Sequence, residues 1–128
     1  MPSQLTFNLD KTLTLCIMAR NNVMQVKEQL QRLALLEPKV LERVEIIIID
    51  NDSTDGTSTA VKPFEGVVPF TYISNTEHLS HDNSFTFALN SSIRTHSKYI
   101  WLLDARNVVR GGHFEELLDL LENNESGL

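Results

Sequence analysis

Residues 45–57 read E-I-I-I-I-D-N-D-S-T-D-G-T. Four consecutive isoleucines lead straight into Asp50, Asp52 and Asp55. An unbroken β-branched run with no polar alternation leaves no face for water, so it fits a strand covered on both sides, as in a parallel sheet. The Asp, Asn, Ser and Gly residues behind it are turn formers. Three arrangements compete for the acids: a calcium loop, a capped turn, and the floor of a ligand crevice. The calcium loop fails on spacing. Counting from Asp50, position six is Asp55 where glycine is required, and position twelve is Val61 where a bidentate Glu is required. A capped turn uses Asp52 or Ser53 as the N-cap of a short helix reaching Lys62, with Asp55 in the first turn, where the helix dipole favours an acid. It leaves out Asp50, which closes the strand before the turn begins. An unpaired buried carboxylate is costly, so Asp50 has to face a crevice or find donors nearby.

Working outward, apolar runs at 13–18, 70–73 and 99–103 join the run at 44–49 as strand candidates. Between the first two, Val23, Val26, Leu30, Leu33 and Leu36 recur at helical spacing, which predicts an amphipathic helix ending near Glu37, before Pro38. Phe85, Leu89 and Ile93 are spaced by four and predict a third helix, although Ser, Thr and Asn fill the rest. Phe114, Leu117, Leu118 and Leu121 predict a last helix after the Gly111-Gly112 break. Strand–helix alternation implies parallel strands joined by right-handed crossovers, a doubly wound α/β layer with helices on both faces. Residues 13–122 form that domain, with 1–12 and 123–128 expected as loose ends. Ligands of such sheets bind outside the carboxyl ends of the strands. Those ends carry Ala19-Arg20-Asn21, Asp50-Asn51-Asp52, Ser74-Asn75 and Asp104-Ala105-Arg106.

Composition narrows the function classes. The chain has 128 residues, is 41% apolar and carries a net charge of −6. That is enough apolar material for one core, and the acidic balance opposes nucleic-acid binding, which relies on phosphate neutralisation by Lys and Arg. No run approaches the ~20 apolar residues of a membrane span, and the start M-P-S-Q-L-T-F-N has no signal-peptide pattern. The single Cys16 lies in an apolar run and reads as a small core residue in a reducing compartment, hence a cytoplasmic protein. No G-x-x-x-x-G-K-[ST] and no G-x-G-x-x-G follows a strand, so two common nucleotide folds are disfavoured. His78 and His81 have an H-x-x-H spacing beside Asp82, but two histidines fall short of a zinc ligand set.

The residues then carry a resemblance. I-I-I-I-D-N-D-S-T-D-G-T resembles the V-V-D-D-G-S-T-D-G-T signature of family 2 glycosyltransferases, inverting nucleotide-sugar enzymes with a GT-A fold. C-I-M-A-R-N-N is similar to that family's first strand, F-A-L-N-S-S-I to its A-R-N-x-G-I helix, and K-Y-I-W-L-L-D-A-R-N to the strand carrying its DxD motif. The likeness runs from residue 13 to 121, with all four motifs in order. It implies a nucleoside diphosphate sugar as ligand, with Ala19, Arg20 and Asn21 near the base and ribose and Asp50 and Asn51 at the nucleoside. It places Asp82 near the sugar-diphosphate, and Asp104 at the ribose or at a Mg²⁺ or Mn²⁺ ion bridging the pyrophosphate.

Two departures matter. The second acid of the DxD motif is here Arg106, and a guanidinium ligates no cation. Either metal binding is lost, or Arg106 itself neutralises the diphosphate; a plain surface pair with Asp104 is the simplest alternative. The sequence also stops about two dozen residues past D-A-R, whereas the family's acceptor site and general base follow that motif. The expectation is therefore a donor-binding half, completed by a C-terminal acceptor domain or by another chain, with an open sheet edge that could pair two copies. The alternative is a non-catalytic interaction or regulatory module on the same scaffold.

Overall fold

The computed structural model describes residues 11–75, 81–95, 97–107 and 113–124, with the backbone alone for 81, 82 and 124. The elements follow in the order β1 (Leu13–Ala19), α1 (Val23–Ala34), α2 (Pro38–Leu41), β2 (Val44–Asn51), α3 (Thr57–Ala60), β3 (Thr71–Asn75), α4 (His81–Ile93), β4 (Tyr99–Asp104) and α5 (Phe114–Asn124). The four strands are all parallel, in the order β3-β2-β1-β4. The chain steps from β1 through β2 to β3 in one direction. It then returns through α4 to the opposite side of β1. The strand order therefore reverses between β1 and β4, and that is the topological switch point.

Side-chain alternation divides the core between the two faces. Leu13, Leu15 and Ile17 of β1 meet Val26, Leu30 and Leu33 of α1 and Phe114 and Leu118 of α5. Cys16 points the other way, to Ile47, Ile49 and Ala88. The four isoleucines of β2 split evenly: Ile46 and Ile48 join the α1 side, Ile47 and Ile49 the α4 side. This two-sided burial is what the uninterrupted apolar run predicts, and it is worth roughly 2 kcal/mol per isoleucine. Cys16 is buried as expected; burial pushes its thiol pKa up, against a weaker opposing bond from Ser92.

Elsewhere the fold departs from the sequence reading. Helix α1 stops at Ala34, and Pro38 opens the separate short helix α2 at its first position, where a fixed φ and a missing N–H cost nothing. The helix expected from Asp52 or Ser53 to Lys62 shrinks to Thr57–Ala60, because Asp52 takes a left-handed φ of 57° and Gly56 one of 86°. The run ending in β4 predicts a strand covered on both faces, but β4 is an edge strand and Ile100 is 36% exposed. Trp101 of the same strand is half-buried against the core. Helix α4 forms, yet its stripe Phe85, Leu89 and Ile93 is 47%, 37% and 52% exposed. The face turned to the sheet carries the fully buried small residues Ala88 and Ser92 beside a partly buried Phe87, with the Ser92 hydroxyl donating to the Ala88 carbonyl at 2.8 Å. The Gly111-Gly112 break falls outside the described residues.

Lys11 and Thr12, just before β1, are tied to the turn that precedes β2. Lys11 Nζ donates to the Glu42 carbonyl at 2.7 Å, and the Thr12 N–H donates to the Arg43 carbonyl at 2.8 Å. Arg43 in turn bridges to α5, with its Nε 3.0 Å from Glu122 and an Nη 2.9 Å from Asp119. The Thr12 hydroxyl also donates to Glu122. That bond, against some burial and with help from Arg43, holds the Glu122 carboxyl below its ordinary range. Among the described residues no helix is long and apolar enough to cross a membrane.

Candidate functional site

The strand register sets a row of polar residues along the carboxyl edge of the sheet. Asn51 pairs with Asn75, Asp50 with Ser74 and Ala19, and Met18 with Asp104. The Ala105 N–H donates to the Met18 carbonyl at 2.8 Å, so the chain stays tied to β1 just beyond Asp104. The row thus runs Asn75, Asn51, Asp50, Ala19, Asp104, with the switch point between the last two.

Asp50 and Asp55 are bonded inside the protein. Asp50 is 3% exposed. One of its oxygens accepts the Ser53 N–H at 3.0 Å, closing the turn, and the other accepts the Tyr72 hydroxyl. Tyr72 lies diagonally across the β2–β3 pair on the same face as Asp50, which is why it can reach. Burial first, then the Asp50 bond and charge, pushes the Tyr72 phenol pKa well up. Asp50 has therefore found donors nearby, and its carboxylate stands in the wall of the site, not open to it. Asp55 serves the neighbouring loop as well as its own turn: it accepts the Val23 N–H at 3.0 Å, capping α1 from outside, and the Thr57 hydroxyl at 2.6 Å. Burial works against its charge, but the bonds from Thr57, Val23 and its own turn prevail and hold the Asp55 carboxyl low.

Further bonds stitch the β1 and β2 loops together. The Asn21 N–H donates to Ser53 Oγ at 2.9 Å, and the Thr54 N–H donates to Asn21 Oδ1 at 2.8 Å. Asn21 adopts φ 54°, a left-handed conformation that Asn tolerates. The Arg20 N–H is held by Asn22 Oδ1 at 2.9 Å. An anion could otherwise sit in a nest of such N–H groups or at the start of α1, but here these donors already have side-chain acceptors. Sequence reasoning missed Tyr72, Ser53 and Asn22 as parts of this arrangement. Only the pairing of β3 beside β2 reveals Tyr72, while Ser53 and Asn22 carried a local turn signal.

On the other side of the switch point, Arg106 folds back on Asp104. Its Nε lies 3.1 Å from Oδ1 and an Nη 2.8 Å from Oδ2, while its own N–H donates to Oδ1 at 2.9 Å. The side chains are 73% and 36% exposed. Arg20 is also exposed and makes no ion pair among the described residues. Asn51 is buried beside Asn75, whose amide nitrogen is buried without an acceptor among the described residues. The side chains of Asp82 and His81, and all of His78, lie outside the described residues.

The donor set does not suit a divalent cation. The carboxylate that would ligate it, Asp104, already faces a guanidinium through both oxygens, and a fixed positive charge repels a second one. Among the described residues no group of three or more His, Cys, Asp or Glu could hold a metal ion.

A parallel sheet with this edge matches known proteins. The family model described as glycosyl transferase family 2 matches residues 14–128. The chain belongs to glycosyltransferase family 2. Among solved structures, S. aureus TarS 1-349 in complex with UDP-GlcNAc aligns with a TM-score of 0.71 at 14% identity, over 89% of this chain and 32% of that one. The mannosyltransferase PcManGT from Pyrobaculum calidifontis, in complex with GDP-Man and Mn²⁺, aligns with a TM-score of 0.63 at 19% identity, over 90% and 35%. At such identities the likeness establishes the α/β fold of the GT-A glycosyltransferases. The family 2 domain described here spans about a third of the length of these structures. None of the curated proteins matches the chain.

Proposed function

We propose that this domain is the donor-binding half of a family 2 glycosyltransferase. It holds a nucleoside diphosphate sugar across the carboxyl ends of β1, β2 and β4, and the complete enzyme transfers the sugar to an acceptor hydroxyl with inversion. The observation that carries this reading is the polar row at the switch point of a family 2 domain, with Ala19 and Asp104 on either side of that point. In this reading Ala19, Arg20 and Asn21 line the base and ribose. Asn51 and the unpaired amide nitrogen of Asn75 supply polar contacts to the base, since a buried donor without an acceptor costs ~1–3 kcal/mol until something accepts from it. Asp50 positions that wall through Tyr72 and Ser53. Asp104 and Arg106 stand at the ribose and diphosphate, with Asp82 towards the sugar. Inverting transfer requires a general base at the acceptor hydroxyl, which this reading assigns to the acceptor side of the complete enzyme.

Calorimetric titration with UDP, GDP and dTDP tests it. Saturable binding of at least one is expected, and it should weaken when Asn51 is replaced by Ala. If none binds at millimolar concentration, the donor-binding reading falls. The second reading, a non-catalytic module, is favoured by the closed Asp104–Arg106 pair, and it predicts no binding in the same titration.

A further inference from the structure

The disagreement between the D-A-R turn and a metal site leads to one further inference, which rests on the donor-binding reading above. We propose that Arg106, braced by Asp104 and aided by Arg20, is the diphosphate-binding cation of this domain, and that nucleotide binding here needs no divalent ion. A diphosphate brought to a sheet edge needs positive charge from somewhere, and three sources are available in general: a metal ion, backbone N–H groups with a helix N-terminus, or cationic side chains.

Among the described residues the first is taken and the second is largely taken. The Asp104 carboxylate is engaged by Arg106 through both oxygens. The N–H groups of Arg20, Asn21, Val23 and Arg106 are bonded to Asn22, Ser53, Asp55 and Asp104. The third source is present and shaped for the task. Asp104 grips Arg106 along its side, through Nε and one Nη. That leaves the end of the guanidinium, with N–H groups on both Nη atoms, turned to solvent on a side chain 73% exposed. A side-on brace with an open end is the geometry in which a second oxyanion can be taken bidentately. The brace also removes much of the rotamer freedom that a lone surface Arg would lose on binding.

Arg20 lies two residues past Met18, just as Arg106 lies two past its register partner Asp104, so both cations flank the switch point. The Asp104–Arg106 pair is neutral and Arg20 leaves that side positive, whereas the β2 side carries Asp50, Asp52 and Asp55. The field therefore draws the diphosphate towards β4 and leaves the base towards β2.

The test is titration of UDP and GDP, and of uridine and guanosine, into the wild-type chain and into Arg106→Ala, Arg106→Lys and Arg106→Asp, each in EDTA and in Mn²⁺. Affinity of the wild type for the diphosphate is expected to be the same in EDTA and Mn²⁺. Arg106→Ala should weaken the diphosphate about tenfold or more without changing nucleoside binding, and Arg106→Lys should recover part of the loss. Arg106→Asp should abolish metal-free binding. Strict dependence of the wild type on Mn²⁺, or equal affinity of Arg106→Ala and wild type, overturns the inference and leaves the donor reading standing. Absence of binding by every nucleotide and nucleoside in both conditions overturns both. An unchanged thermal midpoint for Arg106→Ala, expected of an exposed residue, shows that any loss of affinity is not a loss of fold.

Discussion

Two turns at the same edge of the sheet, D-N-D-S-T-D-G-T after β2 and D-A-R after β4, treat their acids in opposite ways. After β2, Asp50 is buried under Tyr72, and Asp55 is committed to α1. After β4, Asp104 and its arginine stand open to solvent. In the proposed reading the acids of the β2 turn are architectural, and the β4 turn takes the diphosphate. What separates them is position in the sheet. β2 is an interior strand with a Tyr on its neighbour, so its terminal carboxylate can be enclosed and satisfied. β4 is an edge strand beside the switch point, so its terminal carboxylate stays at the surface.

Stability measurements sharpen this contrast, beginning with the largest effect. Tyr72→Phe removes a hydroxyl donor from the buried Asp50 carboxylate and should lower the unfolding free energy by about 2 kcal/mol in urea titrations. Asp55→Ala leaves the Val23 N–H and the Thr57 hydroxyl unpaired and should cost about 1 kcal/mol at neutral pH. Because the folded-state pKa of Asp55 is depressed, its contribution is complete above the unfolded carboxylate value and is lost as pH falls through the lower folded value. The gap between wild type and Asp55→Ala should therefore close on acidification; a gap that stays constant would contradict the assigned bonds. Arg43→Ala breaks the bridge from the start of β2 to α5 and should cost about 0.5–1 kcal/mol, since the partners are partly exposed. Arg106→Ala should leave the unfolding midpoint unchanged, as expected of an exposed pair.

Much of the fold was legible in the sequence because burial on both faces writes itself as an apolar run, and the isoleucines of β2 are that signal. The element order and the parallel sheet followed from alternation alone. The misreadings share a physical cause. Phe85, Leu89 and Ile93 have helical spacing, but spacing does not say which stripe turns inward; the small pair Ala88 and Ser92 lets α4 approach the sheet. β4 reads like β2 in hydrophobicity, yet one is an edge and the other is not, which depends on strand order. Within the candidate site, the roles of Asp50 and Asp55 depended on partners 22 and 32 residues away along the chain, and no local pattern announces those. Arg106 was legible because its partner is two residues away.

The central claim is that the acids of the β2 turn support the site while the β4 turn meets the diphosphate. Thermal melting and metal-free UDP and GDP titration of Tyr72→Phe and Arg106→Ala, side by side, test it most directly. The account predicts a double dissociation: Tyr72→Phe melts earlier but, below its melting point, binds the nucleotide with near wild-type affinity, and Arg106→Ala melts like the wild type but binds at least about tenfold more weakly. Arg106→Ala retaining full affinity, with Tyr72→Phe losing it while keeping its melting point, would contradict the account.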